Sequence, residues 1–271
     1  MTAPRILVFD SGMGGLTVAR AVRAQLPEAH LVYAADNAAF PYGAWKEEAL
    51  VARIVLVIGA LIERVEPHIA VIACNTASTL ALAALREAYK LPFVGTVPAI
   101  KPAAARTKSG IIGVLATPGT AAREYTHALI HTYAYHCKVI LHGAPHLAEM
   151  AERKLRGENV DTAALAAEIE PVFRKRGGDR TDVVVLGCTH YPLLVDDIAK
   201  VAPWEVAYID PAPAIARRAA DVLDETPRPE AKATAPRPGT VLLTSQQGVA
   251  EALSAYATMG FPIHELLEMP V

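Results

Sequence analysis

Cys74 and Cys188 are the residues whose type and setting could do chemistry, because each ends an apolar run, IAVIAC and VVVLGC. Small polar residues follow both, Asn75 and Thr76 in one case and Thr189 and His190 in the other, and then a helical pattern. A thiol has a reference pKa of about 8.5, so it can give or take a proton near neutrality, and helix N–H groups or a positive helix end favour the thiolate. The same N–H groups can hold a carboxylate. A single free cysteine is more often a small buried hydrophobe. Two in matching contexts point to chemistry. Inverting a stereocentre that bears a removable hydrogen needs a base on one face and an acid on the other, with the roles exchanged in reverse.

The neighbours of each cysteine can accept or return protons. Asp10 and Ser11 serve the first half of the chain and His190 the second, while Glu149 and Glu152 supply spare carboxylates on a nearby helix. Plainer roles are open: helix capping for Asp10 and Ser11, a satisfied core position for His190, and solvation for both glutamates. Pro41, Tyr42 and Gly43 end the loop DNAAFPYG, where an aromatic hydroxyl and main-chain groups could meet a ligand or simply form a turn. Cys188 with His190 also fits a Cys-His hydrolase, which leaves Cys74 unexplained. Two lobes closed on an amino acid without turnover would be a binding module. Cys137 lies within a strand pattern and is assigned to packing.

The elements that must position these residues read as α/β. Runs that are apolar throughout are strands buried on both faces, as in a parallel sheet covered by helices, and such sheets bind ligands at their carboxyl ends. Strands are expected at Arg5–Phe9, His30–Ala34, around Ala70, at Leu91–Val97, Ser109–Ala116, Cys137–Leu141, Val183 onward, Glu205–Ile209 and finally Thr240–Thr244. Helices are expected at Leu16–Leu26, Lys46–Val65, Thr76–Ala88, after Pro118, at Ala148–Leu155, from Asp161 to Lys175, from Leu193, after Pro211, and up to Met259. RKRGGDR, Arg174–Arg180, reads as a solvated turn. The plan repeats, with Ser11 and Thr117 offset by 106 residues and Cys74 and Cys188 by 114.

A length of 271 residues also favours two domains. The expected bounds are 1–98 with 213–271 for the first lobe and 99–212 for the second. The Pro-rich stretch Glu225–Gly239 reads as a linker or surface arm, after which the chain returns to the first lobe. The 26 basic and 28 acidic residues set up no field for nucleic acid or an anionic membrane, so a small-molecule substrate fits better. Three cysteines are too few for a disulfide framework, and the opening MTAPRILVFD lacks a signal-peptide pattern, so the expected location is cytoplasmic. No apolar run reaches the roughly 20 residues of a membrane span. No metal-ligand spacing and no phosphate loop occur, and no metal or other cofactor is expected.

FDSGMGGLTV, DNAAFPYG, IACNTAS, ATPGT, HLAEMAERKLRG and VVVLGCTHYPLL together resemble the glutamate racemases of the cofactor-independent aspartate/glutamate racemase superfamily, from Ile6 to Arg218. The resemblance implies two similar three-layer α/β lobes with mainly parallel sheets, related by a pseudo-two-fold, with the active site between them. It implies conversion of L-glutamate to D-glutamate for peptidoglycan, and an aspartate racemase is the nearest enzymatic rival. By resemblance the catalytic residues are Cys74 and Cys188, with Asp10, His190 and Glu152 assisting. The substrate contacts are Asp10, Ser11, Tyr42, Gly43, Asn75, Thr76, Thr117, Thr120, Thr189 and His190. Cys74 is assigned to D-glutamate deprotonation and Cys188 to L-glutamate. Glutamate is the expected partner, with no nucleic acid or membrane, and a homodimer is the candidate assembly. Two departures stand out: Trp45 follows PYGA, and Asp210, Pro211 and Ala212 replace the usual Asp-Ser-Gly.

Overall fold

The structure is a computed structural model that describes residues 3–226 and 238–269. From the amino terminus, β1 (Arg5–Asp10), α1 (Leu16–Gln25), β2 (His30–Ala35), α2 (Glu47–Val65), β3 (Ile69–Ile72), α3 (Asn75–Ala88) and β4 (Phe93–Gly95) alternate. The middle of the chain forms α4 (Ile100–Arg106), β5 (Ile111–Ala116), α5 (Pro118–Ala121), α6 (Glu124–Tyr133), β6 (Lys138–Gly143), α7 (Leu147–Leu155) and α8 (Thr162–Ile169). It continues through a short hairpin of β7 (Lys175–Arg176) and β8 (Asp179–Arg180), then β9 (Val183–Gly187), α9 (Val195–Val201) and β10 (Ala207–Ile209). The last elements are α10 (Ala212–Glu225), β11 (Thr240–Leu243), α11 (Val249–Thr258) and β12 (Ile263–Leu266). The fold is α/β, and the chain divides into two compact units, Met1–Thr96 with Ala212–Val271 and Val97–Pro211.

In the first unit six strands run in the order β12-β11-β2-β1-β3-β4, and every pairing is parallel. Leu7, Phe9, Ala70 and Ile72 face a core built with Ile54, Ile58 and Leu61 of α2 and Ala81 and Leu85 of α3. Ile6, Val8 and Val71 between them are equally buried, and α1 packs on α10. Side chains alternate across a strand, so covering both faces turns the usual alternation into a continuous apolar run. In the second unit the order is β10-β9-β5-β6, again all parallel. Val184 and Leu186 face α7, α8 and α9, and Val183 and Val185 face the cluster containing Ile100 and Ala103 of α4.

Several sequence expectations need correction. The Asp161 cap is as expected, its Oδ1 accepting N–H bonds from Ala163 at 2.9 Å and Ala164 at 3.0 Å, but α8 stops at Ile169 and not at Lys175. Pro171 has no N–H to continue an α-helix, and the chain passes into a 3-10 turn, Glu170–Val172. RKRGGDR is an exposed turn as expected, and it closes into a short antiparallel hairpin with Gly177 at φ +62°. The fourth strand ends at Gly95, and α4 follows, with Pro102 in the first turn where N–H groups have no helical partner anyway. Thr240–Leu243 is not the final strand, because β12 adds to its edge. Ile263 and Leu266 of β12 are half exposed, so it is held by main-chain pairing and leaves no apolar alternation to read. Residues 227–237 of the expected linker lie outside the described residues.

Candidate active site

β1 has β2 on one side and β3 on the other, so the strand order reverses there. Crevices outside the carboxyl ends of the strands at such a reversal are where open α/β sheets bind ligands. Asp10 ends β1, and Cys74 lies two residues beyond β3, as the residue that opens α3. Ser11 Oγ is 3.8 Å from Cys74 Sγ. Asp10 is fully buried, and its Oδ1 accepts the Gly12 N–H at 2.9 Å. That bond shapes the DSGMGG loop; α1 is opened by Gly15, with no side-chain cap, so Asp10 and Ser11 do not cap it. Gly15 is required by close approach, since a Cβ there would lie 2.7 Å from Asp10 Cβ.

Asn75 begins α3 and is 2% exposed, yet neither of its amide atoms has a hydrogen-bond partner among the described residues. A buried amide left unmatched costs about 1–3 kcal/mol, so it marks where a polar ligand would be welcome. Thr76 is buried beside it. Tyr42 is also buried, but its hydroxyl donates to Asp36 Oδ2 at 2.7 Å. Burial, then the Asp36 charge and hydrogen bond, then the Cys74 charge, push the Tyr42 phenol well above its ordinary range. The phenol is neutral and its proton is committed. Gly43 is exposed at the adjoining position.

In the second unit the strand order reverses at β5, between β6 and β9. Thr117 follows β5 and opens α5: its Oγ1 accepts the Thr120 N–H at 3.2 Å and donates to Thr120 Oγ1 at 3.0 Å. Gly187 ends β9 so close to β5 that a Cβ would stand 2.7 Å from Leu115 O. Cys188 comes next, 6% exposed, followed by buried Thr189 and His190. Here the local structure departs from the first unit, because a turn and a 3-10 segment, Tyr191–Leu194, precede α9. No α-helix starts at Cys188.

Cys188 Sγ lies 3.7 Å from His190 Nδ1, and His190 Nε2 lies 2.8 Å from Glu152 Oε1. The histidine and glutamate side chains are both 3% exposed. Burial alone would lower the imidazole pKa, but hydrogen bonds to Cys188 and Glu152, and their charges, outweigh it and hold His190 well above its ordinary value. Glu152 Oε2 meets Arg156 Nη2 at 3.2 Å. Leu147, Ala151 and Glu152 form the inward face of α7, whereas Glu149 is exposed. The relay is thiol, imidazole, carboxylate.

Each unit thus carries a buried thiol at the carboxyl end of a parallel strand, across a strand-order reversal from a polar loop. The class defined is an α/β protein of parallel sheets with a buried thiol at the sheet ends. The family described as Asp/Glu/Hydantoin racemase matches residues 16–219. Glutamate racemase from Brucella ovis is 58% identical over 219 residues, 80% of this chain and 79% of that protein. The crystal structure of Escherichia coli glutamate racemase, a complex with L-glutamate and the activator UDP-MurNAc-Ala, is 42% identical and has a TM-score of 0.91 over 99% of this chain and 100% of that one. A glutamate racemase isoform from Bacillus anthracis is 30% identical, with a TM-score of 0.78 over the full length of both chains. The chain belongs to the Asp/Glu/hydantoin racemase family. Its reaction class is therefore that of the amino-acid racemases.

Sequence reasoning missed Asp36, which accepts a hydrogen bond from the Tyr42 hydroxyl, and Arg53 and Thr244, which donate to the Asp36 carboxylate. Arg53 and Thr244 stand 17 and 208 residues from Asp36 along the chain, and no spacing rule joins them. Among the described residues no group of three or more His, Cys, Asp and Glu is placed to hold a metal ion, and no helix is long and apolar enough to cross a membrane.

Proposed function

We propose that this protein interconverts L- and D-glutamate without a cofactor, with Cys74 and Cys188 working on opposite faces of the α-carbon. The carrying observation is the matched placement of the two buried thiols, each beside a side chain able to exchange a proton. One thiolate removes the α-hydrogen while the other, as thiol, delivers a proton to the far face; the roles reverse for the other enantiomer. The His190–Glu152 pair sets an imidazole beside the Cys188 sulfur, where it can pass a proton to or from the thiol. On the first side Ser11 Oγ lies 3.8 Å from Cys74 Sγ, and Asp10 precedes it at the end of β1.

Asn75 supports an amino-acid ligand directly, since its N–H groups suit a carboxylate and its carbonyl an ammonium, completing a buried amide that lacks partners. Thr76, Thr189, Thr117 and Thr120 supply further hydroxyl and main-chain contacts. Because Tyr42 gives its hydroxyl proton to Asp36, the Tyr42–Gly43 loop serves the substrate through its main chain. The relatives' activity supports glutamate as substrate and D-glutamate for peptidoglycan, made in the cytoplasm, as the product's use. The test is circular dichroism of L-glutamate and, separately, of L-aspartate with purified, chelator-dialysed protein. The glutamate signal should decay to zero, because enantiomers have equal free energy, and aspartate should be at least tenfold slower. A persistent glutamate signal, or faster aspartate decay, refutes the assignment.

A further inference from the structure

Asp36 follows β2 directly and none of its surface reaches water. Its Oδ2 accepts hydrogen bonds from Tyr42 Oη and Arg53 Nε, both at 2.7 Å, and its Oδ1 accepts from Arg53 Nη2 at 2.6 Å and Thr244 Oγ1 at 2.7 Å. Four such bonds fill the lone-pair positions of a carboxylate, and the arginine contact is the two-pronged kind that fixes direction as well as charge. The donors come from three places: the loop itself, the middle of α2, and the residue just after β11.

The flanks of the loop are fastened too. Asn37 Nδ2 donates to Ser245 O at 2.9 Å, and its Oδ1 accepts the Thr244 and Ser245 N–H groups, both at 3.1 Å. Trp45 Nε1 donates to Ala39 O at 2.9 Å, closing the other end. The loop has no strand ladder or long helix of its own, only single 3-10 turns at Asn37–Ala39 and Tyr42–Ala44. Its shape therefore depends on side-chain bonds, four of which meet at the Asp36 carboxylate. Tyr42 shares the apolar cluster of Cys74, so a displaced Tyr42 disturbs the surroundings of the thiol.

We propose that Asp36 is a positioning residue for the racemase site, with Arg53 and Thr244 fixing its carboxylate so that the Pro41–Gly43 loop presents one shape to the substrate. The inference rests on the proposed reading in which that loop meets glutamate. It gives the carboxyl-terminal segment a part in substrate binding, through a hydroxyl that touches no substrate itself.

The test compares kcat and KM in both directions, with urea midpoints, for the parent, Thr244→Val, Thr244→Ser, Arg53→Met and Arg53→Lys. Thr244→Val should raise KM for both enantiomers about 3- to 10-fold with kcat within twofold, and Thr244→Ser, which restores the hydroxyl, should return KM to within twofold of the parent. Arg53→Met should raise KM by more than tenfold, and Arg53→Lys should recover part of that loss. Should Arg53→Met not fold, the Thr244 pair decides alone. Unchanged KM with only a lower urea midpoint would overturn the inference and leave the cluster a structural brace. A parent that fails to racemise glutamate overturns the functional reading first, and so separates the two failures.

Discussion

Replacing Glu152 with glutamine keeps the shape of the relay behind Cys188 and removes its charge. The bond at risk spans 2.8 Å between side chains that are both 3% exposed, so solvent screening does not reduce it. A hydrogen bond to a charged group contributes about 1.5–3 kcal/mol, and about 1.4 kcal/mol is tenfold in rate. Glu152→Gln should therefore lower kcat/KM roughly 10- to 150-fold. The Arg156 contact adds little, because that side chain is 33% exposed. The loss must be equal in both directions, since the equilibrium constant between enantiomers is one. The pH profile carries the second signature. His190 is held well above its ordinary value of 6.5 in the parent, so without the carboxylate the alkaline limb of kcat/KM should move toward lower pH. Folding follows the same sign. A raised histidine pKa contributes stability fully below about pH 6.5, and that contribution is lost as pH rises through the elevated folded value. The parent's thermal midpoint should fall over that range more than the variant's. Kinetics followed by circular dichroism, with melts across pH, test both signatures. A loss under threefold with an unmoved alkaline limb would refute the relay.

Asn75→Leu should raise the ligand-free thermal midpoint by a few degrees, because it removes buried groups whose missing partners cost about 1–3 kcal/mol, while kcat/KM falls at least 100-fold; a lower midpoint with intact kinetics contradicts this. Thr117→Val should cost about 1 kcal/mol in urea unfolding, as loss of a helix cap does, and Thr117→Ser should not; equal stability in the two variants would show that the cap contributes nothing. Burial tends to raise the Asp182 pKa, but bonds from Thr107 Oγ1 and the Lys108 and Ser109 N–H groups lower it below its ordinary 3.8. Its stabilising contribution is full above about that value and is lost as pH falls through the lower folded one. Asp182→Asn should therefore flatten the acid limb of stability, and an acid melt matching the parent's would count against it.

What the sequence made legible follows from burial. VVVLG and IAVI are covered on both faces, so their apolar runs announced parallel strands and located the two thiols at strand ends. The residues alone left Glu149 and Glu152 both open and the resemblance favoured Glu152; the physical difference is the helix face, which buries Glu152, three residues further along α7, and leaves Glu149 exposed. The 3-10 segment after Cys188 was hidden, because HYPLLVDDIAK has helical composition and Pro192 suits the start of either helix type. β12 was invisible because its side chains are solvated and its hold is main-chain. The Asp36 cluster was invisible for a different reason: its members touch only after the chain has folded.

The central claim is that each thiol serves one face of the substrate, and hydrogen exchange in heavy water tests it most directly. Cys74→Ala and Cys188→Ala should both lose racemisation in both directions, since every turnover needs an acid and a base. Each surviving thiolate can still remove the α-hydrogen that points at it and return a deuteron to the same face. Recovered glutamate, read by NMR, should show slow α-deuteration of L-glutamate by Cys74→Ala and of D-glutamate by Cys188→Ala, each without inversion. Residual racemisation by one alanine variant, or exchange of the same enantiomer by both, would contradict the two-thiol account.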